Sequence, residues 1–401
     1  MEKDIAFIIN HLGEDREDYF NAVSPPIIQS SNFNFTDVQT MRAAVPHEFS
    51  RPFYSRGANP TVTILRKKLA ALEGAEDALV FGSGVAAISA AVLSCVKAGD
   101  HVICVNNPYS WTSTLLHDFL SRFDVKYTMV DGTKVENFAN AITPETKVIF
   151  LESPNTMTFE LQDLEAVSAL AKKYNITTII DNSYSSPLHQ NPIEFGVDIV
   201  VHSASKYLNG HSDIVAGVLC STSERVQKIF SSEFLTLGGI ISPHDAWLMI
   251  RGLRTLEIRM QRTSESAEKV VNFLESHPLV EKVLYPFSKN NPQLALAKKQ
   301  MKRCGGLFSI LLKAETIEHA ETFTNTLRRF LIACSWGGHE SLIYPICALY
   351  GSNLSPLGGF KGAKPHLPWN HVRIYIGLED PELLMADLNN ALEAMGNHSK
   401  V

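Results

Sequence analysis

Ala78-Leu79-Val80-Phe81-Gly82-Ser83-Gly84-Val85-Ala86-Ala87-Ile88-Ser89-Ala90-Ala91-Val92 contains no charged side chain and changes its period in the middle. Ala78 to Phe81 reads as a buried strand. A Gly-Ser-Gly turn follows, and Val85 to Val96 reads as a helix. The uncharged stretch between Asp77 and Lys97 is long enough to raise the question of a membrane span. Gly82, Gly84, Ser83, Ser89 and Ser94 interrupt it, and a strand turning into a buried helix explains it better. The same alternation continues downstream. His101 to Val105, Lys126 to Val130, Val148 to Leu151, Thr177 to Ile180 and Asp198 to Val201 read as strands, with helices from Ser110 to Ser121 and Leu164 to Tyr174. Strands alternating with helices imply right-handed βαβ units and an α/β fold with a mostly parallel sheet.

Outward from this block the pattern changes on both sides. Residues before Ala58 are irregular, with Pro25, Pro26, Pro46 and Pro52 among polar residues. Beyond a helical stretch from His244 to Ser276, short strands at Val283 to Tyr285, Leu307 to Leu312 and Val372 to Ile376 precede a last helix from Pro381 to Met395. The expected division is an N-terminal arm over 1–57, a large ligand-binding domain over 58–250 and a smaller α/β domain over 251–401. Tyr350 to Trp369, rich in Gly, Pro and Lys, reads as a long surface loop near the site. A chain of 401 residues has room for such a division.

Composition narrows the function classes. Hydrophobic residues make up 45% and charged ones 19%, and the mean hydropathy is −0.01. These are values of a globular chain rather than a fibrous or disordered one. Thirty-six basic against 42 acidic side chains leave a net charge of −6, which argues against a nucleic-acid or membrane partner. Arg251, Arg254, Arg259 and Arg262, with Glu257 among them, are expected on a solvated or ion-paired helix face. Met1-Glu2-Lys3-Asp4 lacks the basic start and long apolar run of a signal peptide. The six cysteines form no CxxC pair and no zinc spacing, so no metal site is expected; free thiols in a reducing cytoplasm are.

In an open parallel sheet, ligands bind beyond the carboxyl ends of the strands. The polar residues that follow the apolar runs are Glu152, Asp181, the group His202, Ser203, Ser205 and Lys206, and the Gly82-Ser83-Gly84 turn. The turn satisfies G-x-G-x-x-A, yet a dinucleotide site needs an acid after the second strand, where Asn106 and Asn107 stand. What survives is a helix N-terminus able to bind one phosphate. A lysine just past a buried strand, beside two serines and facing a strand-end carboxylate, suits a Schiff base with pyridoxal 5'-phosphate. Asp181 would hold the pyridine nitrogen protonated and so make the ring an electron sink.

These residues belong to a longer set. Tyr54-Ser-Arg-Gly-Ala-Asn-Pro-Thr61, Phe81-Gly-Ser-Gly-Val-Ala-Ala87, Glu152-Ser-Pro154, Asp181-Asn-Ser-Tyr184, His202-Ser-Ala-Ser-Lys-Tyr207, Gly210-His-Ser-Asp213, Arg251-Gly-Leu-Arg-Thr255, Ser335-Trp-Gly-Gly-His-Glu-Ser341 and Arg373-Ile-Tyr-Ile-Gly-Leu-Glu-Asp380 occur in this order. In them the chain resembles the Cys/Met-metabolism family of pyridoxal-phosphate enzymes, over nearly its whole length. The resemblance implies a pyridoxal-phosphate transferase fold of type I and a role for each residue. Lys206 would bond the cofactor aldehyde and Asp181 would pair with the pyridinium. Gly84 and Val85 would offer N–H groups to the phosphate, with Ser203 and Ser205 adding hydroxyls. Tyr109 would stack on the ring and exchange protons with the substrate amine. Tyr54 and Arg56 would reach the phosphate of a neighbouring subunit. Arg373, with Ser335 beside it, would bind the substrate α-carboxylate.

The family resemblance also implies a homo-oligomer with shared active sites, a tetramer built as a dimer of dimers, and a place in trans-sulfuration and methionine biosynthesis. Lys206 would remove the Cα proton of a sulfur amino acid. Loss of sulfur from Cβ then yields pyruvate and ammonia, whereas deprotonation at Cβ opens the γ-branch. Members that work at Cγ typically have Glu before Ser-Leu-Gly-Gly. Here Cys334-Ser335-Trp336 stands, whose Trp is similar to bacterial cystathionine β-lyases. Glu152-Ser-Pro-Asn-Thr-Met-Thr-Phe-Glu160 also looks more like the β-lyase form, and the family's asparagine role is not carried over to Asn155. Cys334 matches neither type. The expected activity is β-elimination of L-cystathionine or a related cysteine conjugate. Cystathionine γ-synthase, cystathionine γ-lyase and methionine γ-lyase are the alternatives.

Overall fold

The computed structural model describes residues 4–350 and 366–398. Most of the loop expected from Tyr350 to Trp369 lies outside the described residues. Seven strands build the larger sheet: β1 (Asp77–Phe81), β2 (His101–Val105), β3 (Lys126–Val130), β4 (Thr146–Glu152), β5 (Thr177–Asp181), β6 (Ile199–Ser203) and β7 (Gly217–Ser221), in the order β1-β7-β6-β5-β4-β2-β3. β3, β2, β4, β5 and β6 are parallel, as the alternation predicts. Both faces of these strands are covered, so their apolar residues run continuously rather than alternating, and Val102, Ile103, Val148, Ile149, Ile179 and Ile180 have no exposure at all. Within this sheet, β7 is the strand that pattern reading misses. It follows an irregular loop instead of a helix and inserts antiparallel between β6 and β1.

A smaller sheet holds β8 (Val280–Leu284), β9 (Leu307–Leu312), β10 (Leu331–Ile332), β11 (Leu342–Pro345) and β12 (His371–Tyr375), in the order β10-β11-β12-β9-β8. The helix Pro381–His398 follows β12. Among the described residues no helix is long and apolar enough to cross a membrane.

Two expected helices are broken. Over Ser110 to Ser121 only Ser110–Thr114 is α-helical; a π-turn over Leu115–Phe119 and a 3-10 turn over Leu120–Phe123 follow. Its serines and threonines are weak helix formers, and the wider turn buries Leu115, Leu116 and Leu120 together. The stretch from His244 to Ser276 is two helices, Pro243–Leu253 and Leu256–Ser276. Arg251, Arg254 and Arg262 are exposed, as a solvated or ion-paired face requires, but Arg259 departs from it and holds the break. Its buried guanidinium donates to the carbonyl oxygens of Gly252 and Tyr207, each at 2.8 Å, and to Thr255 Oγ1 at 3.0 Å. The charge is satisfied by backbone dipoles, which pin the helix junction onto the loop after β6.

The first residues of the expected arm pack on their own chain. Asp4 caps a short helix, Ile5–Asn10, whose Ile8 and Ile9 are buried in the core of this same chain. The helix Pro60–Glu73 starts at an Asn59 cap with Pro60 in its first turn and ends at Gly74 in the left-handed conformation. It buries Lys68, whose Nζ donates to the carbonyl oxygens of Ile8 and Ile9 at 3.1 and 2.8 Å and meets Glu14 Oε1 at 3.0 Å. Both side chains of this ion pair are fully enclosed. Lys68→Ala leaves two buried carbonyl groups unmatched and Glu14 with only Arg16 at 2.9 Å and Arg254 at 3.6 Å, so the urea midpoint should fall by an amount worth about 1–3 kcal/mol. An unchanged midpoint would show that the N-terminal segment is not held through this pair.

Candidate active site

Chemistry collects where the sheet's parallel strands end. The β4–β5 register sets Glu152 opposite Asp181, and β5 pairs Asp181 with Val201 of β6. Asp181 Oδ1 accepts from the backbone N–H of Ser183 at 2.9 Å and from its hydroxyl at 2.5 Å, an Asx turn that aims the carboxyl. The Ser183 hydroxyl in turn accepts from the Ser203 N–H at 2.6 Å. One short relay therefore joins the ends of β5 and β6.

Beyond β6, Lys206 Nζ lies 2.7 Å from Ser335 Oγ and over the Trp336 ring, 5.8 Å from its centroid. Ser335 has φ of 78°, a left-handed conformation that turns its hydroxyl segment onto the lysine. The next turn is closer still. A Cβ on Gly337 would stand 2.7–2.9 Å from Tyr207 N and from the Lys206 carbonyl carbon and Cα, so only glycine lets this segment rest on the Lys206 peptide. Tyr207 secures the other side: its hydroxyl accepts from Gly306 N–H at 2.7 Å, and its carbonyl accepts from Arg259.

The first strand supplies the anion cradle. Ser83 caps the helix Gly84–Leu93 by accepting from Ala86 N–H at 3.1 Å, leaving the N–H groups of Gly84 and Val85 free of a helical acceptor. A Cβ on Gly84 would meet Ser203 Cα and Cβ at 2.9 Å, so this helix start sits directly against the β6 serine. Ser205 Oγ accepts from Ala216 N–H at 2.9 Å, with the Ala216 carbonyl 3.4 Å away.

β2 and β12 complete the floor. Tyr109 follows β2, and its N–H donates to Glu152 Oε2 at 2.6 Å. Arg373 of β12 is buried, with Nη1 at 3.5 Å from both Thr156 Oγ1 and Met157 Sδ and its guanidinium 5.3 Å from the Tyr344 ring centroid. Among the described residues it has no carboxylate partner within ion-pair distance, which leaves a buried fork free for an anion.

Burial and crowding perturb the groups of this edge. Burial pulls the Lys206 amine down to about 8 from 10.5, and the positive charge of Arg373 adds to the effect. Burial together with the Asp181 charge pushes Glu152 up to about 8. Asp181 is raised by burial too, but its bonds from Ser183 oppose the shift. Burial thus disfavours the charged form of both adjacent carboxyls, and only at Asp181 do side-chain and backbone donors of Ser183 favour it.

Lys206, Asp181, Tyr109, Gly84, Val85, Ser203, Ser205, Ser335 and Arg373 thus gather from both halves of the chain. Tyr54 and Arg56 do not join them. Both are exposed, and the Arg56 guanidinium stacks on Tyr54 at 5.3 Å. Sequence reasoning passed over Ser183, Thr156 and Tyr344, although Asp181-x-Ser183 was legible as an Asx turn. Asn155 serves the fold: its Nδ2 donates to the carbonyl oxygens of Asn106 and Asn107 at 3.2 and 2.7 Å.

The family model for Cys/Met metabolism PLP-dependent enzymes matches residues 7–393. The chain is 37% identical over 388 residues to L-methionine γ-lyase of Treponema denticola, covering 96% of each. It is 37% identical over 396 residues to human cystathionine γ-lyase, covering 97% of this chain and 94% of the other. The crystal structure of metB from Corynebacterium glutamicum superposes with a TM-score of 0.90 at 35% identity, over 98% of both chains.

The residues fit the cofactor of that family: a depressed amine, an enclosed carboxylate and a glycine helix start whose Cβ position is already filled by Ser203. The neutral amine is the nucleophile toward an aldehyde. Cofactor-free protein should therefore take up pyridoxal phosphate at a rate that rises with pH and levels off above about 8, the value to which Lys206 is lowered. A rate still climbing toward 10.5, followed by visible absorbance, would mean an ordinary solvated lysine.

Proposed function

This chain belongs to the Cys/Met-metabolism PLP-dependent enzymes, and from that premise we propose that it is a carbon–sulfur lyase performing β-elimination on L-cystathionine or a related cysteine conjugate, with release of the thiol, pyruvate and ammonia. When bound, pyridoxal phosphate supplies an electron sink for the bond broken at Cα. The chain's own residues do the rest. Gly84, Val85, Ser203 and Ser205 face the phosphate, Asp181 holds its charge for the ring nitrogen, and Tyr109 covers the ring. Arg373 clamps the substrate α-carboxylate as a two-pronged donor. Lys206 is the base that moves the Cα proton, and the Ser335 hydroxyl at 2.7 Å orients its amine.

The observation that carries the β-reading is the segment touching Lys206. Ser335-Trp336 brings a hydroxyl and an indole to the amine, and Cys334 before them supplies no carboxylate. Removing one Cα proton with departure of the adjacent sulfur needs one stroke of one base. A γ-elimination needs a second proton removed at Cβ. The second reading, γ-elimination from methionine-like thioethers or cystathionine, is favoured by the names of the relatives, γ-lyases at 37% identity. The six free thiols support a place in a reducing cytoplasm, which cell fractionation checks.

Product analysis separates the two readings. L-Cystathionine should yield homocysteine, pyruvate and ammonia, and Lys206→Ala should abolish the yellow cofactor band and the turnover together. Predominant 2-oxobutyrate and cysteine would transfer the assignment to γ-elimination. Condensation of an activated homoserine ester with cysteine, without cleavage of cystathionine, would make the protein a synthase.

We further propose that the sites are shared within a dimer, and that two dimers form a tetramer. Phe20 is 100% exposed, Val23 79% and Val38 71%, so the segment preceding Tyr54 presents apolar side chains that its own chain does not cover. Tyr54 and Arg56 lie at the end of this surface. In a two-fold dimer each site would combine Lys206 of one chain with Arg56 of the other. When Lys206→Ala and Arg56→Ala proteins, each inactive, are unfolded together and refolded, about half the dimers should be mixed, with one intact site each and about a quarter of wild-type activity overall. Mixed dimers without activity would place the whole site in one chain.

A further inference from the structure

Glu152 is a strand-end acid to which neither cofactor nor substrate binding, as described above, gives a task. It is nearly fully enclosed, at 4% exposure, and its two oxygens are spoken for separately. Oε2 accepts from Tyr109 N–H at 2.6 Å, and Oε1 accepts from Thr156 N–H at 2.7 Å. Both are short for bonds from backbone nitrogen. Its own N–H donates to Gln162 Oε1 at 3.2 Å, which ties the residue to the strand end from behind.

The two bonded segments lead to different parts of the site. One carries the Tyr109 ring. The other, the segment after β4, presents the hydroxyl of Thr156 itself and the Met157 sulfur to Arg373 Nη1, each at 3.5 Å. Asn155 reinforces the first connection through the Asn106 and Asn107 carbonyl oxygens. We propose that Glu152 is a positioning residue for the reaction: one carboxyl group that sets the ring-covering tyrosine and the carboxylate-clamping arginine in register with each other. The inference rests on the functional reading above, since it takes Tyr109 and Arg373 in those roles.

Chemistry distinguishes this from a mere buried acid. A carboxyl group offers an acceptor to each of two converging N–H donors. Glutamine of the same shape offers one oxygen and turns an NH₂ group against the second donor. Glu152→Gln therefore keeps the volume and breaks the tie. The holoenzyme of this variant should remain yellow, because Lys206 and Asp181 are untouched. Its kcat/KM should fall about 30- to 100-fold, as for a displacement of order 1 Å in a reacting group. The visible circular dichroism of the cofactor, which reports how the ring is seated, should change as well. Thr156→Ala touches only the arginine half. It should weaken binding of glycine, an unreactive amino acid read through the cofactor band, about fivefold and leave the dichroism unaltered.

A Glu152→Gln enzyme with wild-type kcat/KM and wild-type dichroism overturns the proposal. So does a Thr156→Ala enzyme that binds glycine as tightly as wild type, and this holds even where the glutamine variant does not fold. A wild-type protein that cleaves no sulfur amino acid would sink the functional reading instead, while dichroism and glycine binding would still judge Glu152.

Discussion

The register of three parallel strands is the constraint on which the site depends. Because β4, β5 and β6 pair residue for residue, Glu152, Asp181 and the segment from Ser203 to Lys206 leave the sheet at one level. A slip of one residue would move every side chain on the slipped strand to the opposite, differently packed face and carry its end residue out of line with its neighbours. The slip is opposed by the burial of whole strands: Ile149, Phe150, Ile179, Ile180 and Val200 have no exposure, so no alternative face is available to them. Packing of apolar residues thereby fixes the position of ionisable ones, which contribute nothing favourable to the core themselves.

Those ionisable groups are held against their solvation. Lys206, Glu152 and Arg373 each have their charged form disfavoured by burial, and the effective penalty for an enclosed ion is several kcal/mol. The surrounding structure has to overcome that cost. It does so with oriented donors and acceptors of the chain itself: Ser183 for Asp181, the Tyr109 and Thr156 N–H groups for Glu152, Ser335 for Lys206. Among the described residues Arg373 has no comparable partner, and an anionic group can meet that demand. A site poised in this way binds by relieving desolvation that folding imposed.

Rigidity at Lys206 comes from outside the strand that carries it. The peptide after Lys206 is gripped from three directions, by Arg259 at the Tyr207 carbonyl, by Gly306 at the Tyr207 hydroxyl and by the Gly337 backbone above. These residues come from the long helix Leu256–Ser276, the approach to β9 and the segment before β11. The smaller sheet thus takes part in the site twice, through Arg373 on β12 and through this grip. Neither half of the chain could hold the lysine alone.

The alternation of apolar runs and helices determined the parallel sheet and the edge at which its polar residues emerge. Side-chain period and strand burial are local properties, so the runs leading to Glu152, Asp181 and Lys206 were legible directly. The motifs around Lys206, Asp181 and Arg373 also carried the cofactor. Other features have no local cause. β7 pairs antiparallel with two strands distant in sequence, β6 and β1, and Arg259 is buried because its acceptors, Gly252 and Tyr207, come from two segments brought together by folding. The helix expected from His244 to Ser276 breaks for that same reason. Glu152 stood out in the sequence as a strand-end acid, yet its two donors arise 43 residues before it and four after it, a convergence that only the tertiary structure creates.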